Sequence, residues 1–510
     1  MIFSKTAHPF QKSGIAFLLA LSLLAITACG SASTIEKPLS SALNDYYDQK
    51  LNWDNCYQDF ECADLKVPID YENLTTGTFK IAVLRYPAAM QNKKLGSLII
   101  NPGGPGASGV DYAYNAEYIF NPDILDRYDI VGFDPRGVAR SAPIKCFTDA
   151  ESDANFAADT KPDNAEELAK AIADAKSFIA KCEAKVKYLD SYSTANAARD
   201  MDILREVLGD KKLNYLGKSY GTYMGALYAQ LFPDKVGRMV LDGAVDPSVS
   251  QYKQSLQQAI GFETAVTAFI VNCLKLPSCP LAKTPEEAQT EIINLLAKAA
   301  ANPLPRKTEV KGDSRLATES IVVLGMANAM YDNTEGWPQL RTAIRQGLEG
   351  YGDTFLTLAD NYTGRAPDGT FPNNELDSGA IIDCIDSTDP RTIEEITADK
   401  NIFATKAPIF GPYLAYGGLT CKFFTNSHTP TKVTQTTNSS PVIIIGTIRD
   451  PATPYEWAAG LRAQINNSRL ISLDADGHTG QGRGSACVDD AVDTFYLTGN
   501  PPKKDLSCRL

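Results

Sequence analysis

The sequence predicts an α/β protein whose mostly parallel sheet is covered by helices on both faces and carries a large, mainly helical insertion. Three observations lead to this prediction. Short strand-like runs at 79–84, 97–101, 128–134, 213–217 and 238–242 alternate with helical periodicity. This alternation stops between Asp246 and Ser440 and resumes with strand-like runs at 441–446 and 470–473. Strands that alternate with helices favour a parallel sheet buried on both faces.

The helical patterns are clear on both sides of this break. Residues 197–208 place Met201, Leu204 and Leu208 on one face, and Asn196 precedes them as the expected cap. Residues 223–232 form a second helical pattern, which Pro233 ends. Within the insertion, helices are predicted at 252–274, 285–300, 318–331 and 337–348, and residues 367–378 look like loop.

A chain of 510 residues is too long for one simple core. We predict a signal peptide at 1–28, a tether at 29–50, the first part of the α/β core at 51–246, a lid at 247–440 and the rest of the core at 441–510. Apolar and charged contents of 44% and 22% are ordinary for a soluble globular protein. The net charge of −12 argues against a nucleic-acid partner, because an acidic surface repels phosphates.

The N-terminus has the pattern of an export signal. Lys5 and Lys12 precede an apolar run at 15–26, which ends in small residues before Cys29. A chance run of small residues before a cysteine is the alternative. The I-T-A-C ending resembles the lipobox of bacterial lipoproteins. That resemblance implies cleavage before Cys29, lipid on its sulfur and attachment to a membrane of the bacterial cell envelope, outside the cytoplasm.

Cysteine usage fits an exported chain. Setting Cys29 aside, ten of the eleven cysteines remain, an even number. Sequence leaves their connectivity open, and pairing of nearest neighbours is our expectation: Cys56–Cys62, Cys146–Cys182, Cys273–Cys279, Cys384–Cys421 and Cys487–Cys508. Each bridge is worth about 2–4 kcal/mol. The absence of a C-x-x-C pair weakens a zinc hypothesis, and no metal is expected.

The stretch G-K-S-Y-G places Ser219 between Gly217 and Gly221. A glycine-rich turn that occurs by chance is the alternative interpretation. However, the serine lies between a predicted strand and a predicted helix, which is the context of a nucleophile elbow. Such a turn holds the serine in a strained backbone conformation at a cost of about 1–3 kcal/mol. We therefore predict that Ser219 is a catalytic nucleophile.

A serine nucleophile needs a base, and the chain has three histidines. His8 lies in the predicted signal, and His428 lies in a polar stretch of the lid. His478 follows a predicted strand, so it is the expected base. The orienting acid is expected at Asp450, after the preceding strand, whereas Asp474 and Asp476 are interpreted as turn formers on the loop of His478.

A second glycine-rich loop, N-P-G-G-P-G-A-S-G at 101–109, follows another predicted strand. A flexible loop or a phosphate cradle are the alternatives, but the lysine of a P-loop is missing. As an oxyanion hole the loop fits well, because glycine lets a backbone N–H approach a reacting carbonyl. Gly104 and Tyr220, the residue after the nucleophile, are the expected donors.

These motifs, together with G-F-D-P-R-G-V-A-R-S, G-T-I-R-D-P-A-T-P and D-G-H-T-G, resemble the tripeptidyl-aminopeptidase-like branch of the α/β-hydrolases, which are relatives of the prolyl aminopeptidases. The resemblance runs from about Cys56 to the C-terminus. It implies an α/β-hydrolase fold and a serine peptidase that releases short peptides from a free N-terminus without metal or organic cofactor. It also assigns the triad Ser219, Asp450 and His478. Pro102 replaces the histidine that opens the corresponding prolyl aminopeptidase motif, which favours the tripeptidyl branch.

An exopeptidase must bind an ammonium group, so acids should face its site. Asp383 and Asp386, beside Cys384, are the candidates for the substrate amine. Helix capping or hydrogen bonding within the lid is an equal alternative. Asp134 and Arg136 are expected to form a structural pair with each other.

Three functions remain open at this point. The first is an anchored aminopeptidase that forms an acyl-enzyme on peptide substrates and acts as a monomer. The second is a carboxylesterase with the same triad. The third is a lipoprotein that only binds peptides or sugars, for which a strained serine with acid and histidine in the expected order would have no purpose.

Overall fold

A computed structural model describes residues 39–387, 389–425, 430–431, 433–436, 438 and 440–510. The predicted signal peptide, Cys29 and His428 lie outside the described residues. Within the described part, ten strands form one sheet in the order β1-β2-β3-β5-β4-β6-β7-β8-β9-β10. The strands are β1 (Asp54–Cys56), β2 (Phe60–Pro68), β3 (Thr78–Tyr86), β4 (Gly96–Asn101), β5 (Tyr128–Phe133), β6 (Leu213–Lys218), β7 (Val236–Asp242), β8 (Val442–Arg449), β9 (Ser468–Asp476) and β10 (Leu506–Arg509).

The sheet is parallel from β5 to β10, and β1, β2 and β3 add an antiparallel edge. The α/β-hydrolase arrangement predicted from the sequence is therefore observed. All seven predicted strands are present, whereas β1, β2 and β10 were not predicted. β1 and β10 are the edge strands, and β2 lies next to β1. All three have exposed residues, so they lack the continuous apolar runs that mark buried strands.

Alternate residues of the central strands enter two different cores. In β8, Val442 and Ile444 pack in the core on one face, and Ile443 and Ile445 pack in the core on the other. This period of two follows from strand geometry, and burial on both faces explains why these strands are apolar throughout.

Helices cover both faces and form the segment between β7 and β8. They are α1 (Leu39–Tyr47), α2 (Gly109–Tyr114), α3 (Ala116–Ile119), α4 (Pro122–Arg127), α5 (Asp149–Phe156), α6 (Ala165–Lys185), α7 (Thr194–Val207), α8 (Tyr220–Leu231), α9 (Gln251–Cys273), α10 (Pro285–Ala301), α11 (Glu319–Met330), α12 (Gly336–Glu349), α13 (Asp353–Thr363), α14 (Glu375–Asp386), α15 (Ile393–Lys406), α16 (Gly411–Leu414), α17 (Tyr455–Gln464) and α18 (Ala486–Thr498). Short 3-10 turns lie at Leu74–Thr76, Gln91–Lys93, Leu189–Tyr192, Pro233–Lys235 and Thr420–Phe423.

The helices between β7 and β8 have a core of their own. Phe269, Trp337 and Phe355 belong to this cluster, which consists mainly of residues from α9 to α13. The predicted lid corresponds to this segment, although its division as a separate domain stays a prediction. In the described part of the chain, no helix has both the length and the apolar character needed to cross a bilayer.

Two local predictions were wrong. Ser193, not Asn196, caps α7, because its side chain accepts a hydrogen bond from the N–H of Asn196. The end of the predicted tether is helix α1, which packs on the core through Leu43, Tyr46 and Tyr47. The Tyr47 hydroxyl also donates to Asp202 at 2.9 Å. Because this helix packs apolar side chains on the core and its tyrosine bonds a buried carboxylate, residues 39–47 are part of the fold and not a free linker.

The predicted pair of Asp134 and Arg136 does not form. Arg136 instead makes a fully buried, two-pronged ion pair with Asp200, with N–O distances of 2.6 and 2.7 Å. Asp134 accepts from Arg140 at 3.1 Å. Asp200 lies on α7, 64 residues from Arg136, and the sequence gives no sign that this helix packs against the loop of the arginine.

Candidate active site

Ser219 occupies the turn between β6 and α8, as predicted. Its backbone has φ 54° and ψ −126°, a conformation that side-chain-bearing residues rarely adopt. A side chain at Gly217 would collide with the carbonyl of Gly221, and one at Gly221 would meet Asn101 Oδ1 at 2.7 Å. The two glycines therefore let strand, turn and helix pack closely enough to hold the serine in this strained position.

Asp450 and His478 are in contact after β8 and β9. His478 Nδ1 lies 2.8 and 2.9 Å from the two carboxylate oxygens of Asp450. Asp450 is buried and also accepts backbone N–H groups of Ala452, Thr453 and Thr479 at 2.9–3.0 Å. An ionised carboxylate cannot donate, so this contact assigns the proton to Nδ1 and leaves Nε2 free to accept one.

The segment that carries His478, residues 477–482, is here called the histidine loop. The N–H of His478 donates to the carbonyl of Tyr331 at 2.9 Å, and the two rings meet edge to face at 5.1 Å. The carboxylate of Asp242 accepts the N–H groups of Gly480 and Gln481 at 2.8 and 2.9 Å. The carbonyl of the same Asp242 accepts the N–H of Ser219 at 2.8 Å. Asp242 thus joins the histidine loop to the serine turn.

The backbone N–H groups of Gly104 and Tyr220 are available near Ser219, whereas that of the neighbouring Gly103 is not. Gly103 has φ 104°, and its N–H is used by Asn101 Oδ1 at 2.9 Å. Gly104 and Tyr220 line the same cavity as Ser219, and their N–H groups have no partner among the described residues. Tyr220 is the first residue of α8, where an N–H has no acceptor within the helix. Both predicted oxyanion donors therefore line the cavity at Ser219, and their catalytic role stays a prediction.

The cavity at Ser219 has a volume of about 480 Å³ and extends beneath the helical insertion. Both predicted amine-binding acids line it, as do the predicted oxyanion donors; the other walls include Pro105, Tyr223, Val245, Asp246, Gln258, Tyr331, Ala380, Ser387, Leu414, Thr453 and Trp457. The bridge Cys384–Cys421 is also part of the wall and joins α14 to the turn at Thr420–Phe423. Ser219 and the two acids therefore line one cavity.

The two acids differ in their contacts. The carboxylate of Asp386 accepts the N–H of Thr194 at 3.0 and 3.1 Å and also accepts the Thr194 hydroxyl. The Thr194 hydroxyl also contacts Tyr220 Oη. The side chain of Asp383 is accessible within the cavity but surrounded by protein. This loss of hydration, with the nearby charge of Asp386, raises the pKa of Asp383 to about 7. Burial likewise raises the pKa of Asp386 to about 7, although its bonds to Thr194 oppose the shift.

The remaining sequence predictions have mixed outcomes. All five cysteine pairs are bridged as expected. Asp474 and Asp476 are not turn formers, since they lie in β9 and form ion pairs with Arg449 at 2.8 and 2.5 Å. The contacts of Asp242 and of Tyr331 to the histidine loop were missed. The sequence M-V-L-D, in which an acid ends an apolar strand, could have indicated a site role for Asp242. No feature of the sequence indicated the contact of Tyr331.

Comparisons with known proteins agree with this architecture. A family model described as alpha/beta hydrolase fold matches residues 96–285, and one described as TAP-like protein matches residues 407–508. Serine protease Hip1 of Mycobacterium tuberculosis is 34% identical over 464 residues, which cover 88% of this chain and 87% of that protein.

Two further relatives carry different names. Carboxylesterase B of Mycobacterium tuberculosis is 34% identical over 475 residues, covering 88% of this chain and 86% of its own length. Tripeptidyl aminopeptidase of Streptomyces lividans is 32% identical over 480 residues, covering 90% of this chain and 86% of its own length. Similarity at this level over nearly the whole length establishes common ancestry: the chain belongs to the TAP-like family of α/β-hydrolases.

Proposed function

We propose that this protein is a serine exopeptidase that releases short peptides, with tripeptides as the expected product, from the free N-terminus of oligopeptides. One observation carries the proposal: the cavity that contains Ser219 and its oxyanion donors also contains Asp383 and Asp386. A hydrolase that cuts near a free amine needs both features in one space. The names of two relatives, serine protease and tripeptidyl aminopeptidase, support this chemistry.

In the first half of the reaction, Ser219 Oγ attacks the carbonyl carbon of the scissile peptide bond. His478 Nε2 takes the hydroxyl proton, and Asp450 holds the ring through Nδ1–H and stabilises the imidazolium. The carbonyl oxygen becomes negatively charged and accepts the N–H groups of Gly104 and Tyr220. Each such donor is worth about 3–4 kcal/mol of transition-state stabilisation.

The second half regenerates the enzyme. The imidazolium gives its proton to the leaving nitrogen, the C–N bond breaks, and the acyl group stays on Ser219. Water then attacks the ester carbonyl while His478 takes one of its protons. The acyl product leaves as a free carboxylic acid, and the proton returns to Ser219 Oγ.

Asp383 is the proposed partner of the substrate ammonium. Asp386 is committed to Thr194, whereas Asp383 is accessible in the cavity. An ammonium placed there would regain for the carboxylate the hydration energy it lacks and would keep it ionised. The span between this carboxylate and Ser219 would then set how many residues are released.

The alternative function is a carboxylesterase, and a relative named carboxylesterase B gives it specific support. The triad and oxyanion donors would serve an ester equally well, since both reactions pass through the same acyl-enzyme. The two functions differ in their need for Asp383 and Asp386, because only a peptidase that binds a free amine requires these acids.

The deciding experiment compares three chromogenic substrates: a tripeptidyl anilide with a free amine, its N-acetylated counterpart and a short acyl ester. Ser219→Ala serves as the blank. We expect the free-amine anilide to be cleaved and the acetylated one to resist. Ester cleavage with both anilides intact would instead establish the esterase.

We further propose that the protein is exported and held on the cell envelope by lipid at Cys29. The five disulfides support a location outside the reducing cytoplasm. Expression of the full chain and of a Cys29→Ala variant in a bacterial host tests the anchor. Detergent-dependent extraction of the full chain only, with incorporation of labelled fatty acid, is the expected result.

A further inference from the structure

A buried ion pair joins the two loops of the proposed triad. Lys218 immediately precedes Ser219, and its Nζ donates to the carbonyl of Gln481 in the histidine loop at 2.8 Å. The same Nζ lies 3.6 Å from a carboxylate oxygen of Asp242. The Asp242 side chain is fully buried, and the Lys218 side chain is 15% exposed.

Lys218 and Asp242 are each connected to both the serine turn and the histidine loop. Asp242 accepts the serine N–H through its backbone carbonyl and accepts two histidine-loop N–H groups through its carboxylate. Lys218 is covalently joined to Ser219 and donates across to the histidine loop. A hydrophobic pair of the same volume would fill this space but would leave the N–H groups of Gly480 and Gln481 and the carbonyl of Gln481 without these partners. A buried ion pair is often no more stabilising than a well-packed hydrophobic pair, so packing alone does not account for this arrangement, and its contacts with both loops suggest a positioning role.

We infer that Lys218 and Asp242 act together as positioning residues that set the approach of His478 to Ser219. The inference rests on the proposed roles of Ser219 and His478. The pair does not touch the reacting atoms. It holds the two backbone segments whose separation decides whether Nε2 can take the serine proton, and an error of about 1 Å there can cost about 100-fold in rate.

The test uses a fluorophosphonate probe, which labels an activated serine whatever the natural substrate is. Asp242→Asn keeps the shape but replaces a two-oxygen acceptor by an amide with one acceptor oxygen, and it leaves Lys218 without its counter-charge. We expect the second-order labelling rate constant to fall by about 10- to 100-fold. With the tripeptidyl anilide, kcat should fall and KM should change little.

Asp202→Asn is the matched control. Asp202 is also a buried acid paired with a buried base, Arg205, at 2.8 Å, but it does not line the cavity. Its loss should lower the melting temperature while leaving the labelling rate constant of the folded protein unchanged. A merely structural role of Asp242 would give this same result and would overturn the inference.

Lys218→Met gives a second variant if Asp242→Asn does not fold, because it removes the charge and keeps most of the apolar stem. It should slow labelling as strongly, and the double variant should be no slower than the slower single one. Normal labelling of Lys218→Met, or losses that multiply in the double variant, would contradict a shared role. Failure of the wild-type protein to react would instead disprove the proposed function of Ser219.

Discussion

The carboxyl ends of the parallel strands, here called the sheet edge, and the helical insertion hold their candidate site residues in different ways. At the sheet edge, Ser219, Asp450 and His478 each lie within two residues of a strand end and are held mainly by backbone hydrogen bonds. In the insertion, Asp383 and Asp386 lie on α14, which is joined to its surroundings by a disulfide and by side-chain bonds to Thr194.

This contrast indicates a division of labour. In the proposed function the sheet edge carries the bond-breaking chemistry, and its parts are fixed by strand register and tight turns. In the same proposal the insertion selects the substrate, and its parts depend on which helix packs over the cavity. Changes at the sheet edge should therefore affect all substrates, whereas changes in the insertion should affect only those with a free amine.

Replacement of the triad acid, Asp450→Asn, should have the largest effect. The amide cannot stabilise the imidazolium, and it favours the wrong tautomer of His478, so kcat should fall by about 10⁴-fold. The loss should be the same for the free-amine anilide and for the acyl ester, measured by steady-state kinetics. A loss confined to the anilide would break the proposed division.

Gly104→Ala should be next in size. Gly104 has φ 105°, and a Cβ there would meet the N atoms of Gly106 and Ala107 at 2.7 and 2.8 Å. The loop must shift, which misplaces one oxyanion donor and lowers kcat by about 10²–10³-fold for both substrates. Gly209→Ala is the control, because Gly209 has φ 81° and a Cβ added there would meet no atom within 4 Å. It should retain full activity, and equal losses in the two variants would contradict the oxyanion assignment.

Asp383→Asn should affect the free-amine substrate only. Loss of a charge-assisted hydrogen bond of about 1.5–3 kcal/mol lowers kcat/KM for the tripeptidyl anilide by about 10- to 150-fold. Hydrolysis of the acyl ester should not change. Glu394→Gln, which removes an exposed acid of α15 outside the cavity, should alter neither substrate. Unchanged preference for free amines in Asp383→Asn would assign amine recognition elsewhere.

The smallest effect concerns pH. Because the pKa of Asp383 is raised to about 7, its carboxyl is neutral below that pH and ionised above it. A peptide ammonium loses its charge above about pH 8. The ratio of kcat/KM for the anilide to kcat/KM for the ester should therefore rise through pH 7 and fall above about pH 8. Taking the ratio cancels the titration of the triad, and Asp383→Asn should remove the rise. A ratio that is flat in the wild type would contradict ionic recognition of the amine.

The sequence by itself determined seven of the ten strands, the serine turn and the positions of Asp450 and His478 directly after β8 and β9. These features depend on short-range patterns: apolar runs that mark buried strands, glycines where backbones approach closely, and polar residues directly after strand ends. The even number of cysteines and their spacing led to all five bridges, because nearest neighbours in sequence also lie close in space in this fold.

Only the tertiary structure decided which residues from distant parts of the chain contact these motifs. It paired Arg136 with Asp200, engaged Asp242 with the histidine loop, placed Tyr331 against His478 and brought Asp383 into the cavity. Each of these contacts joins segments far apart in the chain. Their formation depends on how helices and loops pack over the sheet, and a local pattern of residues carries no information about the partner on the other side.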